Sequence, residues 1–272
     1  MIIPTPDSKK YMDDTQPLKT PRYRVIVAYD GTDFKGWQKQ PGLRTVQETI
    51  EEAVRKLAPA DAEIVIHGSG RTDAGVHAFG QVAHFDLARE MPGFQLRRAL
   101  NRWLPYDVRI LDAERVDSDF HARRTAHSKE YRYRIYNAEV MHPMYMRTCA
   151  HVSKPLNIDK MKQAAAILIG EHDFAAFTAN PNREIETTVR HVYNIEFVLD
   201  GPILELRFTG NGFLYKMVRS LTGVLISVGE GKFEPDFVQV IMDSKERTAI
   251  VETAPARGLA LYKVNYPQSE NN

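Results

Sequence analysis

The positions with most chemistry in this 272-residue chain lie in IHGSGRTDAGVHAFGQVAHF (66–85), where four glycines, Arg71 and Asp73 stand between two apolar runs. An aspartate beside an arginine is expected to be ionised, and an ionised carboxylate with access to substrate can serve as a nucleophile. The same residue also fits an Asx turn, in which Asp73 caps its own loop. Two other glycine-loop chemistries are excluded. HGSGRTDAG lacks the G-x-G-x-x-G spacing and leads into a strand rather than a helix, and no Gly-Lys-Ser/Thr ends it, so neither a dinucleotide fingerprint nor a P-loop is present. His67, His77 and His84 flank the loop, but His77 and His84 are seven apart with no partners at helical spacing, and satisfied structural histidines are expected.

Two further stretches combine aromatics with cations. In KEYRYRIYN (129–137), strand alternation puts Tyr131, Tyr133 and Ile135 on one face and Arg132 and Arg134 on the other. Such a strand suits stacking on a splayed-out base with arginines toward phosphates, and it equally suits an amphipathic strand with Tyr in the core and Arg in water. GNGFLYKMVRSLTG (210–223) reads as a glycine turn feeding a helix, with Phe213, Met217 and Ser220 at helical intervals and Arg219 mid-helix. A buried Arg219 needs an acidic partner, for which Asp73 is a candidate; otherwise it snorkels on the helix flank.

Composition bounds the setting. Hydrophobic residues at 43% and charged residues at 26% are ordinary for a globular protein, and no apolar run reaches the roughly 20 residues of a membrane span. The opening residues show no charged n-region followed by an apolar h-region, and the single Cys149 permits no intramolecular disulfide; a cytoplasmic protein is expected. A net charge of +1 says little, because the cations are segregated: Arg97, Arg98, Arg102 and Arg109, then Arg123, Arg124, Lys129, Arg132 and Arg134.

Residues 1–20 are polar, proline-containing and without periodicity, and read as a disordered lead. From there strands are predicted over 23–30, 62–68, 81–87 and 107–116, with helices over 45–57 and 94–104. Thr45 and Glu48 have the spacing of a capping box. The second half repeats the order: strand 129–137, helix 158–170 closed by a glycine cap, a hairpin of 189–201 and 203–211, helix 213–231 and strand 258–266. The expected fold is α+β: two ferredoxin-like βαββαβ halves, 21–117 and 118–272, with antiparallel sheets joined around a central cleft that the 68–78 loop would serve.

GSGRTDAGVHA (68–78) resembles the signature loop of the tRNA pseudouridine synthase A family. VAYDGTDFKGWQKQP (27–41) with TVQETIEEAV, GEHDFAAFTA (170–179), GNGFLYKMVR (210–219) and APARGLALYKVNY (254–266) are similar to its other blocks, in the same order from residue 22 onward. Ser69 departs from the alanine of many members. The resemblance implies cofactor-free isomerisation of uridine to pseudouridine in the anticodon arm of tRNA (uridines 38–40), by a homodimer. It implies a catalytic Asp73, with Tyr131 stacking on or deprotonating the base and Arg219 paired with the aspartate. Arg71 would help flip the uridine, and Thr72, Lys35, Trp37, Gln38, Phe174, Arg123, Arg124 and Lys129 would contact substrate. Base flipping is needed because the target is stacked within RNA, at a cost of about a few kcal/mol.

Two rivals are distinguishable. A non-catalytic RNA-binding module of RNA-recognition type would carry its aromatics on central strands, whereas here the most constrained element is a loop bearing a carboxylate. A metal-dependent phosphoesterase would need clustered Asp/His ligands, which the sequence does not offer, and would be sensitive to EDTA.

Overall fold

The computed structural model describes residues 20–179 and 187–267; apart from Thr20, the predicted N-terminal lead lies outside them. The first half runs β1 (Arg22–Tyr29), α1 (Val46–Arg55), β2 (His67–Gly68), β3 (His77–Asp86), α2 (Gly93–Trp103) and β4 (Val108–Val116). The second runs β5 (Ser128–Asn137), β6 (Ala150–Val152), α3 (Ile158–Leu168), β7 (Gly170–Asp173), β8 (Val189–Asp200), β9 (Ile203–Gly210), α4 (Met217–Gly229), α5 (Phe237–Ser244) and β10 (Leu259–Asn265). The elements form where periodicity and burial agree. Tyr23, Val25, Val27 and Tyr29 of β1 are buried in alternation, and Val46, Ile50, Ala53 and Val54 form one inward face of α1.

The strands do not form two antiparallel sheets facing each other across a cleft. They form one ten-stranded mixed sheet in the order β4-β1-β3-β10-β5-β9-β8-β7, with β2 added to β3 and β6 to β5. The seam is a short parallel pairing, Ala260 with His77 and Leu261 with Ala78. It exists because β2 is two residues long and pairs only with the far end of β3, at His84 and Ala83. The other end of that edge, beside the 68–78 loop, is left open for β10.

Several local expectations change with tertiary context. The predicted strand 62–68 shrinks to β2; Ile64 and Ile66 are buried, but the Ile66 N–H turns to the Glu51 carboxylate at 3.4 Å instead of a strand partner. The Thr45–Glu48 capping box does not form. The first helical N–H groups of α1 donate to the carbonyls of Gly36 and Trp37, the Thr45 hydroxyl is buried without a partner, and Glu48 pairs with Lys39. The glycine cap of α3 is likewise absent: Ile169 ends the helix in extended conformation and Gly170 opens β7. Helix α4 starts at Met217, after Lys216 in left-handed conformation, so Phe213 lies outside it and Arg219 sits in its first turn rather than mid-helix. No helix among the described residues is long and apolar enough to cross a membrane.

Candidate active site

Asp73 lies between β2 and β3, directly before the seam, and several loop residues around it are pinned. Ser69 N still donates to Val82 O at 2.7 Å, as a last rung of the β2–β3 ladder. Beyond it the backbone leaves the sheet: the Gly70 carbonyl accepts from Gln81 Nε2 at 2.8 Å, and Gln81 Oε1 accepts from Ser69 Oγ at 2.6 Å. Ser69 O accepts from Lys129 Nζ at 2.7 Å, and Thr72 O from the Trp37 N–H at 3.1 Å. The Thr72 hydroxyl shares a 2.8 Å hydrogen bond with Tyr29 Oη. Gly75, at φ +77°, lets the chain reverse so that its N–H reaches Phe34 O, and the Val76 N–H closes the turn on Asp73 O.

Beside the exposed Arg71, the loop presents the Asp73 side chain. Its Oδ2 accepts from Arg219 at 2.7 Å, with the two side chains 16% and 13% exposed. Arg219 is aimed by a second bond, Nε to Ala254 O at 2.8 Å, while Ala254 N returns a bond to Arg219 O. The pair thus joins a loop of the first half to a helix of the second.

Tyr131 of β5 is nearly buried beside this pair, edge-on to Phe213 at 5.3 Å between centroids. Burial, with Tyr29 and Asp73 nearby, raises its phenol above the ordinary value. Tyr29 is pushed up to about 12 by burial. Both are neutral phenols at pH 7. Lys129 is pushed down, to about 8, by burial and by the neighbouring Arg123 and Arg190.

The other sequence-expected contacts divide. Lys35, Gln38, Arg71, Arg123 and Arg124 are exposed. Trp37 is not: it is 3% exposed, packs against Tyr29, and occupies the space where a side chain on Gly68 would stand, 2.6 Å from the indole. Phe174 is fully buried between Phe177 and His172. Both are core residues rather than surfaces for a base, because aromatic area of that size gains most by leaving water. Thr72 is buried and spends its hydroxyl on Tyr29.

Arg132 and Arg134 do face away from the tyrosines, but acids partner them: Arg132 bonds Glu130 at 2.7 Å and Glu205 at 3.4 Å, and Arg134 lies 4.0 Å from Glu205. Arg132 also stacks on Tyr262. Their charge is largely answered within the sheet.

His77 and His84 are satisfied within the fold. His77 Nδ1 accepts from Gly31 N and its other nitrogen meets Arg257 O; His84 stacks on His67 and accepts from Ala122 N. Sequence reasoning overlooked Tyr29, Gln81 and Arg190. The first two look like strand residues in any local window, and Arg190, paired with His172 of β7, comes near Lys129 only in the folded chain.

A family model described as tRNA pseudouridine synthase matches residues 25–123 and 164–267, spanning both halves and including Asp73, Arg71 and Arg219. The chain belongs to the tRNA pseudouridine synthase family. Among its relatives, the tRNA pseudouridine synthase A of Bacillus pumilus is 47% identical over 247 residues, covering 90% of this chain and 99% of the relative. Those of Limosilactobacillus reuteri and Limosilactobacillus fermentum are 46% and 44% identical, over 90% and 92% of this chain and 96% and 98% of theirs. A chain of the archaeal box H/ACA sRNP Nop10–Cbf5 complex aligns at 16% identity and a TM-score of 0.34, over 75% of this chain and 43% of that one, too loosely to inform the site. For a pseudouridine synthase, the useful feature of the loop is that one carboxylate is ion-paired, oriented and partly open to solvent.

Proposed function

We propose that this tRNA pseudouridine synthase isomerises uridines of the anticodon arm, positions 38–40, with Asp73 as the catalytic residue. The observation that carries the reading is the Asp73–Arg219 pair at 2.7 Å, formed between the two halves by a loop whose Ser69, Gly70 and Thr72 polar groups are bonded within the fold. The reaction breaks the N1–C1′ bond, rotates the uracil in place and joins C5 to C1′; the C5 proton leaves and N1 gains one, so redox state is unchanged and no cofactor enters the scheme. The carboxylate attacks C1′ or C6, or removes the 2′ proton to give a glycal.

Arg219 pairs with Asp73 and aims it. Tyr131, neutral at pH 7, fits a role as stacking surface or hydrogen-bond donor better than as a base. Arg71 takes the place of the flipped uridine, and Arg123 and Arg124, with Arg190 nearby, meet the phosphates. The division into two ferredoxin-like halves near residue 117, each with strand order 4-1-3-2 within the shared sheet, belongs to this reading, as do a homodimer and a cytoplasmic setting. The test is tritium release from tRNA carrying C5-labelled uridine. Asp73→Asn and Asp73→Ala are expected to release none while binding tRNA within about threefold of wild type; turnover by either would end the assignment.

A further inference from the structure

A carboxylate that attacks carbon must be held to about half an ångström, yet Asp73 stands on a loop without regular structure. Two side chains bear on this. Where β2 leaves the sheet, the Gln81 amide takes over from the backbone ladder: Nε2 donates to Gly70 O at 2.8 Å and Oε1 accepts from Ser69 Oγ at 2.6 Å. Gln81 is 0% exposed, both ends of its amide are bonded to this loop with the Tyr29 hydroxyl beside it, and the Gly70 carbonyl, which can only accept, decides that the NH2 end faces it. The preceding carbonyl, Ser69 O, is held from another direction by Lys129 Nζ at 2.7 Å. Gln81 belongs to β3 and Lys129 to β5, so strands of both halves grip successive peptide planes immediately before Arg71-Thr72-Asp73.

The cost of the lysine contact argues for its purpose. A phosphate-seeking lysine extends its ammonium into water, where it is well solvated. Lys129 instead folds back onto a backbone carbonyl, only half-exposed and close to Arg123 and Arg190, and its ammonium is destabilised there.

We propose that Gln81 and Lys129 are positioning residues: by fixing the peptide planes at 69–71 they set the place of the Asp73 carboxylate, and Lys129 ties the loop to the second half. They touch no reacting atom. The proposal rests on Asp73 being the catalytic residue, and it assigns Lys129 to the loop instead of to tRNA.

Single-turnover tritium release, measured against tRNA concentration, tests it with Asp73→Asn as reference. Gln81→Met keeps about the length but loses the donor to Gly70 O, and Lys129→Met keeps the stem but loses the ammonium. Both are expected to lower the saturating rate by about ten- to a hundredfold, with half-saturation within about threefold of wild type. Lys129→Arg, which still donates, should recover most of the rate. A wild-type saturating rate in either variant overturns the inference, and so does a Lys129→Met defect confined to half-saturation, which would mark a phosphate contact. If Gln81→Met does not fold, Gln81→Leu replaces it, also without a donor to Gly70 O; an unchanged rate there overturns the Gln81 assignment. Turnover by Asp73→Asn would overturn the underlying reading and leave a distinct signature, since the reference itself would be active.

Discussion

Asp73 and Arg219 are a pair in which each partner answers the other's charge at low exposure. Removing one therefore costs more than the pair contributes, because the survivor keeps its desolvation without its partner. Arg219→Leu is expected to lower turnover steeply and stability by about 1–3 kcal/mol, read from tritium release and urea unfolding together. Wild-type values in both would remove the pairing from the mechanism. His84 supplies a pH test. Burial and the neighbouring His121 and His67 push its pKa from 6.5 down to about 4. The unfolded chain therefore takes up a proton below pH 6.5 that the folded chain refuses. Stability from this group is complete above pH 6.5 and is lost as pH falls toward 4, by at most about 3 kcal/mol. His84→Asn keeps an acceptor for the Ala122 N–H, so the difference between its urea-unfolding free energies at pH 7 and pH 4.5 should be smaller than in wild type. Equal pH dependence would show that His84 is not the group responsible.

The loop–strand unit shows why some elements were legible and others were not. Alternation on β1, β5 and β9 and helical spacing on α1 and α2 reflect one buried face, a property each segment carries locally. The length of β2 is not local: it depends on Gln81 and Glu51 supplying side-chain partners where a longer strand would have used backbone. Trp37 marks the same limit. An exposed indole and a core indole have the same letter, and only the approach of Gly68 and Tyr29 shows it to be core. Trp37→Ala is expected to cost about 3–5 kcal/mol in urea unfolding, while half-saturation by tRNA in the folded variant stays near wild type. A small stability loss with weakened tRNA binding would restore Trp37 to the substrate surface.

Across the whole molecule, a net charge of +1 conceals an uneven distribution. The strand arginines Arg132, Arg134 and Arg207 are matched by Glu130, Glu205 and Glu196, while the 121–124 segment presents Arg123 and Arg124 outward. Phosphate contacts made by such exposed cations release counterions, so tRNA affinity should fall steeply with salt. Replacing Arg123 and Arg124 together by Ala should flatten the slope of log K against log salt by about 1.5–2, one phosphate contact each. The same slope in the double variant would place tRNA elsewhere on the protein.

The blocks from residue 22 onward were enough to indicate the family, the α+β class and Asp73, Tyr131 and Arg219 as residues to watch, because a loop that must turn on glycines around one carboxylate constrains its own sequence. They could not show that the halves share one sheet, that Arg219 meets Asp73 at 2.7 Å, or that Lys129 and Gln81 hold the loop. The side-chain contacts among them depend on residues 11 to 146 positions apart reaching hydrogen-bond distance. Periodicity reports which face of an element is buried; which residue lies across from it is decided only when the sheet closes at β3 and β10.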